Sequence, residues 1–334
     1  MEESPIVPAA DLPMFASVLI AAARIAPHAH VTPVLRSHAL DALAGCELHF
    51  KCENLQRVGA FKFRGACNAV FALDDGHASR GVVTQSSGNH GAAIALACRL
   101  RGIAASVVVP QGAPAIKLAA IEGYGARVVR CEATMAARDA TAAILLAETG
   151  ATLIHPFDNA DVIAGQGTAA LELLRECDAL DAVLAPVGGG GLLSGTAISA
   201  HAPGGGIEVW GAEPIGAADA HASLREDRCI TDMTAQTVCD GLRGHLAPRT
   251  FAILRERANG ILLVEDADIV HAMRLLWERL KVVVEPSGAV ALAAVLQHRE
   301  RFVGRRVGII LSGGNVDLDA LPALFAMASS NRKT

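Results

Sequence analysis

A chain of 334 residues carrying a net charge of -5 and no basic block is long enough for one or two domains and shows no electrostatic footprint for nucleic acid or a membrane surface. Its 52% hydrophobic content with only 4% aromatics describes an interior of Ala, Val, Leu and Ile, which suits helices layered on a parallel sheet.

In chain order, the acidic start Met1-Glu2-Glu3 is unlike a secretion signal, and the apolar run over 18–23 is too short for a bilayer. A cytoplasmic protein is expected. An aspartate cap and a one-sided apolar pattern predict a helix over 11–24, broken by Thr32-Pro33-Val34-Leu35. Residues 47–52 alternate as a strand, and Gly59 and Gly65 bracket a loop that turns into a helix at 66–73. From 81 to about 156 strands (81–84, 105–109, 127–130, 152–154) alternate with helices (91–101, 115–124, 136–149). A second series has strand 181–187, helix 192–201, strand 208–212, helices 267–281 and 287–296, and strand 307–311. This rhythm, without a linker or fixed-period repeat, predicts α/β architecture: two lobes of open twisted parallel sheet flanked by helices, sharing one cleft. Residues 76–157 are expected to form a small domain inserted in a large one made of 1–75 and 158–334.

Lys62 is the first candidate for chemistry. It is one of five lysines (51, 62, 117, 281 and 333), and it lies between Phe61 and Phe63 beside Arg64, where partial burial next to a cation favours a neutral, nucleophilic amine. Eight cysteines (46, 52, 67, 98, 131, 177, 229 and 239) stand singly without zinc-type spacing and read as reduced, mostly buried thiols. Loops after strands hold ligands in open parallel sheets. Ser86-Ser87-Gly88-Asn89-His90-Gly91 opens a helix whose free N–H groups suit a carboxylate, although by itself it reads equally as a capped turn. Gly188-Gly189-Gly190-Gly191, before Leu192, lets the backbone wrap a phosphate closely because no Cβ intervenes. No Gly-Lys-Ser/Thr ending and no Gly-x-Gly-x-x-Gly register is present, so a dinucleotide site, with Glu213 near the expected distance, is the weaker alternative. Ser312-Gly313-Gly314-Asn315 presents a hydroxyl at a strand end, and Glu213 and Asp219 are two carboxylates open to a hard divalent cation.

Together FKFRG, SSGNHG, the tetraglycine loop and SGGN, in this order over nearly the entire chain, resemble the fold-type II pyridoxal-phosphate enzymes of the serine racemase and serine/threonine dehydratase family, with a tryptophan synthase β-like fold. The resemblance implies a role for each position. Lys62 would form the Schiff base with pyridoxal 5'-phosphate and take the substrate α-proton, with Phe61 against the ring. Gly188, Gly189, Gly190, Gly191 and Leu192 would cradle the phosphate, Asn89 would bond the ring 3-oxygen, and Ser312 would meet the ring nitrogen. A hydroxyl there does not hold that nitrogen protonated, which favours prompt loss of a β-substituent over a long-lived carbanion. Ser86, Ser87, Asn89 and His90 would receive the substrate carboxylate. Ser87 is also the position where racemases use a serine on the opposite face, and many threonine dehydratases have alanine. Arg138 would answer a second carboxylate or close the small domain. Glu213, Asp219 and the carbonyl of Ala217 would hold a structural Mg2+, Ca2+ or Mn2+.

One departure is Leu242-Arg243-Gly244-His245 after Asp240-Gly241, where the racemase pattern places a serine. Its loss disfavours serine racemisation and opens room for a larger β-substituent. The expected activity is dehydration of a β-hydroxy-α-amino acid such as serine or threonine to a 2-oxo acid and ammonia. Phenylserine or 3-hydroxyaspartate dehydration, amino-acid racemisation, and non-catalytic cofactor or nucleotide binding are the alternatives. A homodimer is the family expectation, and the end at Asn331-Arg332-Lys333-Thr334 leaves no regulatory C-terminal domain expected.

Overall fold

The computed structural model describes residues 8, 11–113, 115–202 and 206–330. Residues 1–3 and 331–334, which carry the expectations about a leader and a regulatory domain, lie outside the described residues. The chain runs α1 (Phe15–Ile25), β1 (Val34–Leu35), α2 (His38–Ala44), β2 (Glu47–Cys52), α3 (Lys62–Ala72), α4 (Asp75–Ser79), β3 (Val82–Gln85) and α5 (Asn89–Arg101). There follow β4 (Ala105–Pro110), α6 (Ala115–Gly123), β5 (Arg127–Cys131), α7 (Met135–Thr149), β6 (Thr152–Leu153), α8 (Ala160–Glu176), β7 (Ala182–Pro186) and α9 (Gly191–Ala200). The last third holds β8 (Glu208–Pro214), α10 (Asp219–Glu226), α11 (Pro248–Arg257), β9 (Gly260–Val264), α12 (Asp266–Arg279), α13 (Pro286–Gln297), β10 (Arg306–Leu311) and α14 (Leu321–Ser330).

Two sheets result. The larger has the order β1-β2-β10-β7-β8-β9 and the smaller β5-β4-β3-β6. All pairings are parallel except β1 with β2, where Val34 faces Lys51. Parallel strands buried on both faces must be apolar throughout, and β7 (AVLAP) is buried at every position. Leu48, Phe50, Leu184 and Ile309 anchor the core of the large sheet, and Val82, Val107, Ile94 and Ile121 that of the small one.

Helix α8 escapes the sequence reading, which assigns nothing between 154 and 181. Its Gly165 and Gly167 each cost a helix about 1 kcal/mol relative to alanine and so disguise it. The structure supplies their reason. A Cβ on Gly165 would stand 2.6 Å from Gly65 Cα of α3, and one on Gly167 2.8 Å from the Gly195 carbonyl of α9. The three helices therefore cross at backbone distance, which only glycine permits. For the same reason α3 begins at Lys62 rather than at Ala66: Gly65 is a helix-crossing residue, not the end of a loop. Helix α1 likewise begins at Phe15, because Pro13 keeps Leu12 out of helical geometry and Asp11 falls in the preceding turn.

Candidate active site

The stretch carrying Lys62 is stitched to the end of β10 by backbone bonds. Phe61 N donates to Ser312 O at 2.9 Å, Gly314 N donates to Gly59 O at 2.9 Å, and Ala60 forms an isolated antiparallel bridge with Gly313. Lys62 thus sits at the first position of α3, beside the loop that presents Ser312. Its Nζ donates to Pro156 O at 3.0 Å and lies 5.1 Å from the Phe61 ring centroid. Lys62 keeps some exposure, yet its amine is crowded enough that burial lowers its pKa to about 8. An amine so placed is substantially neutral, and nucleophilic, near physiological pH.

The SSGNHG loop faces the same space. Gly91 is required there because a Cβ would run into the Ser86 carbonyl, which folds back on the start of α5. Helix α5 begins at Asn89, and its N-cap, Gly88, offers no side chain to the free amides. Asn89 Nδ2 donates to Glu285 Oε1 at 3.0 Å, and Asn89 Oδ1 accepts from Asn315 Nδ2 at 2.9 Å, so its carboxamide is fixed in orientation. His90 is buried, and that burial, followed by the charges of Lys62 and His155, holds its pKa well below the ordinary value. A neutral ring beside Lys62 suits an anionic substrate group less by charge than by hydrogen bonding. Ser86 and Ser87 are partly buried at the mouth of this helix, where Ser86 Oγ accepts from Gly88 N at 3.3 Å.

The tetraglycine loop closes the space from the side of β7. Gly190 has φ 83° and caps α9 without a side chain, leaving the amides of Gly191 and Leu192 at an uncapped helix start. The glycines are enforced by protein neighbours as well. A Cβ on Gly189 would fall within the Phe157 ring, and one on Gly188 would stand 2.9 Å from Leu242 Cα. Phe157 follows Pro156, whose carbonyl holds Lys62, so one loop touches both the lysine and the glycines. Ser312, 4% exposed, points its Oγ at Ser287 O across 3.5 Å, the outer limit of a hydrogen bond, which leaves it able to turn to another partner.

Sequence reasoning missed two groups at this site. The loop at 155–159 follows β6 and so obeys the strand-end rule, which was the available signal. Glu285 gave none. It lies just before α13, and burial, then the Asp240 charge, raise its pKa to about 8 where it holds Asn89. Across the cleft, Lys117 of α6 pairs with Asp240, beside the Gly241–Ser287 contact. Arg138, in the first turn of α7, has a buried Nε without a hydrogen-bond partner among the described residues. The next residue, Asp139, is among the charges that act on the His155 ring, as Lys62 is.

The site therefore joins an amine of lowered pKa, a glycine cradle at a helix start, a fixed carboxamide and a strand-end hydroxyl. A family model described as "Pyridoxal-phosphate dependent enzyme" matches residues 25–313. The chain belongs to the pyridoxal-phosphate-dependent enzymes. It is 50% identical over 306 residues to a serine racemase of Dictyostelium discoideum, covering 90% of this chain and 94% of that protein. A crystal structure of that racemase, covering 92% of this chain and 99% of its own, superposes with a TM-score of 0.88. The chain is also 46% identical to a beta-hydroxyaspartate dehydratase of Paracoccus denitrificans (93% of this chain, 99% of that one). The threonine deaminase isoform 2 of Solanum lycopersicum is 31% identical, and the structure of its processed form superposes with a TM-score of 0.89 over 98% of this chain and 91% of that one. The fold is that of these enzymes. Among the described residues no helix is long and apolar enough to cross a membrane.

Glu213 lies near the end of β8 and Asp219 at the start of α10, with Ala217 in the turn that joins them. Among the described residues no group of three or more His, Cys, Asp or Glu side chains forms a metal cluster. Glu213 accepts from Ala220 N at 3.0 Å and His221 N at 2.9 Å, and Asp219 accepts from Leu246 N at 3.3 Å. Burial, and for Glu213 the Asp219 charge as well, pushes both carboxyls up, Asp219 to about 6. The two buried carboxyls accept from backbone N–H groups, and a hard divalent cation is the kind of partner that would favour their ionised form against that burial.

Proposed function

We propose that this enzyme dehydrates a β-hydroxy-α-amino acid, releasing a 2-oxo acid and ammonia. Pyridoxal phosphate, when bound, supplies the electron sink for the electrons of the broken Cα–H bond. Lys62 provides the amine that anchors the cofactor and then accepts the α-proton. The SSGNHG loop and α5 hold the substrate carboxylate, the glycine cradle and Leu192 hold the phosphate, Asn89 fixes the ring oxygen, Phe61 lies against the ring, and Ser312 meets its nitrogen. Residues 76–157 form the small domain in this reading, and two chains form the working unit.

Gly244 is the observation that carries dehydration over racemisation. A Cβ there would stand 3.6 Å from the Phe157 ring and 3.8 Å from Gly189 N, so the position borders the glycine cradle and has space for a hydroxyl that this chain lacks. Ser87 alone would then leave racemisation without its second hydroxyl neighbour. Within the dehydratase reading, the unpartnered Nε of Arg138 favours a substrate with a second carboxylate, that is 3-hydroxyaspartate, over serine or threonine. The Paracoccus relative's name supports the same choice.

A panel of β-hydroxy amino acids in both configurations, assayed together for 2-oxo acid release and for the chirality of recovered substrate, tests both statements. Release faster than inversion is expected throughout. Arg138→Leu should lower kcat/KM for 3-hydroxyaspartate by about 100-fold, the size of a lost buried charge pair, and for serine by much less. Equal losses would remove the second-carboxylate role, and inversion outrunning release would remove the dehydratase.

We also propose that Glu213, Asp219 and the Ala217 carbonyl bind Mg2+, Ca2+ or Mn2+ as a structural ion. Adding the metal at about 100 times its Kd should stabilise the fold by roughly 2.7 kcal/mol, seen as a raised Tm that chelation reverses. Glu213→Gln should abolish the response.

A further inference from the structure

Away from the cleft, three side chains that the proposed reaction does not use form a hydrogen-bonded chain. Glu47 and His49 are two residues apart on β2, so their side chains share one face of the strand while Leu48 and Phe50 turn into the core. His49 Nε2 lies 2.9 Å from Glu47 Oε1, and His49 Nδ1 lies 3.3 Å from the Sγ of Cys177, the residue that caps the C-terminus of α8. Arg36 Nη1 holds the same Glu47 oxygen at 3.1 Å.

Donors and acceptors fit together in one way. A carboxylate paired with an arginine can only accept, so the ring proton sits on Nε2 and the lone pair of Nδ1 faces the thiol. Cys177 is then the donor. Burial first, then the Glu176 charge, raises its pKa against the opposing charges of Arg36 and Lys51, and Asp178 pushes it further up, so the resting sulfur keeps its proton. A nucleophile, a base within reach of its proton and an acid that orients the base are the parts by which a weak nucleophile is activated.

No other thiol among the described residues bonds an imidazole. Cys52, Cys131 and Cys229 donate to the carbonyls of Phe50, Val109 and Leu246 at 3.4, 3.4 and 3.2 Å, and a carbonyl does not carry the proton away. Cys46, Cys67, Cys98 and Cys239 are buried, and that burial pushes their pKa values up. Cys177 is 8% exposed and lies between the exposed Glu176 and Asp178, a position that suits a small oxidant rather than a bulky one.

We propose that Cys177 is a modification site, a thiol that hydroperoxides oxidise with His49 as its base and Glu47 as the residue that positions the base. The sulfur attacks one peroxide oxygen and the O–O bond breaks, while the thiol proton passes to His49 Nδ1 and on to the departing oxygen. Sulfur is oxidised to the sulfenic acid, and hydrogen peroxide is reduced to water. The inference does not depend on the reading of the cleft.

In the test, full-length protein with its cofactor bound is exposed to hydrogen peroxide, the excess is removed with catalase, and the chain is unfolded in dimedone so that peptide mass spectrometry counts the sulfenic acid at each cysteine. Cys177 should be labelled before the more exposed Cys229. His49→Phe keeps a ring at the position without a base and should slow labelling about 100-fold, the lower end of what a positioned base supplies. Glu47→Gln keeps the imidazole but releases its tautomer and should slow labelling less. Cofactor absorbance should stay unchanged in both. A merely structural role for His49 gives the opposite sign, because loosening the contact exposes the sulfur and speeds labelling. Cys229 labelled first, no label at Cys177, or His49→Phe labelled at least as fast as the wild type would overturn the proposal. If His49→Phe does not fold, Glu47→Gln labelled at the wild-type rate overturns it instead.

Discussion

Lys62→Ala is expected to lower kcat/KM by at least about 10⁴-fold and to leave a protein that folds but carries no covalently held cofactor. Two functions are lost at once. A positioned general base is worth roughly 10²–10⁴ in rate, and the covalent anchor that aligns the substrate's Cα–H bond adds to it. The fold should survive, because Lys62 makes one side-chain hydrogen bond, to Pro156 O, and its burial as a charged group is a cost rather than a gain. Folded pKa near 8 against an unfolded value of 10.5 means that the unfolded state binds more protons between those values. Below about pH 8 both states carry the proton and the folded one holds it at a cost. Stripped of cofactor, so that the Lys62 amine is free, the wild type should accordingly gain stability as pH rises from about 8 to 10.5, and the alanine variant should lack that gain. Absorbance of the bound cofactor, borohydride labelling and melts across this range check the three parts. Activity within tenfold of wild type would transfer the chemistry to another residue.

Gly189→Ala should cost activity by a different route, through weakened cofactor binding. A Cβ there would occupy the Phe157 ring, which is itself confined by Gly191 and Gly244. Overpacking of this kind costs about 1–3 kcal/mol. Here the strain must be relieved by moving either the phosphate cradle or the 155–159 loop that holds Lys62. Cofactor affinity should fall by roughly 100-fold, the equivalent of such a strain at a binding site. Phe157→Ala removes the opposing ring, so the double variant should regain cofactor affinity relative to Gly189→Ala. Additive losses would show that the ring and the glycine do not share one space.

Several misreadings of the sequence have the same origin. Glycine is scored locally as a breaker, yet Gly65, Gly165 and Gly167 are helical residues chosen by a neighbour many positions away. Nothing local marks Lys51, Glu53 and Arg64 as buried charges, because each finds its counterion only after β2, α3 and α8 have packed. Glu285 is the same case at the site itself. Nothing in Val284-Glu285-Pro286 distinguishes it until Asn89 and Gly313 close upon it.

What the sequence determined by itself was whatever depends on neighbours in the chain. The alternation of apolar strands with helices, the four loops at strand or helix starts, and the lysine between two phenylalanines are each encoded by residues close together in the chain, and they led to the fold class and the cofactor. Tertiary structure alone decided what depends on residues brought together from afar. It joined Phe61 to Ser312 by backbone bonds, set Phe157 between the lysine and the glycines, and left Arg138 with an unanswered Nε. The physical reason is that hydrogen-bond satisfaction, steric exclusion and charge balance in a buried site are properties of pairs, and a linear sequence states only one member of each.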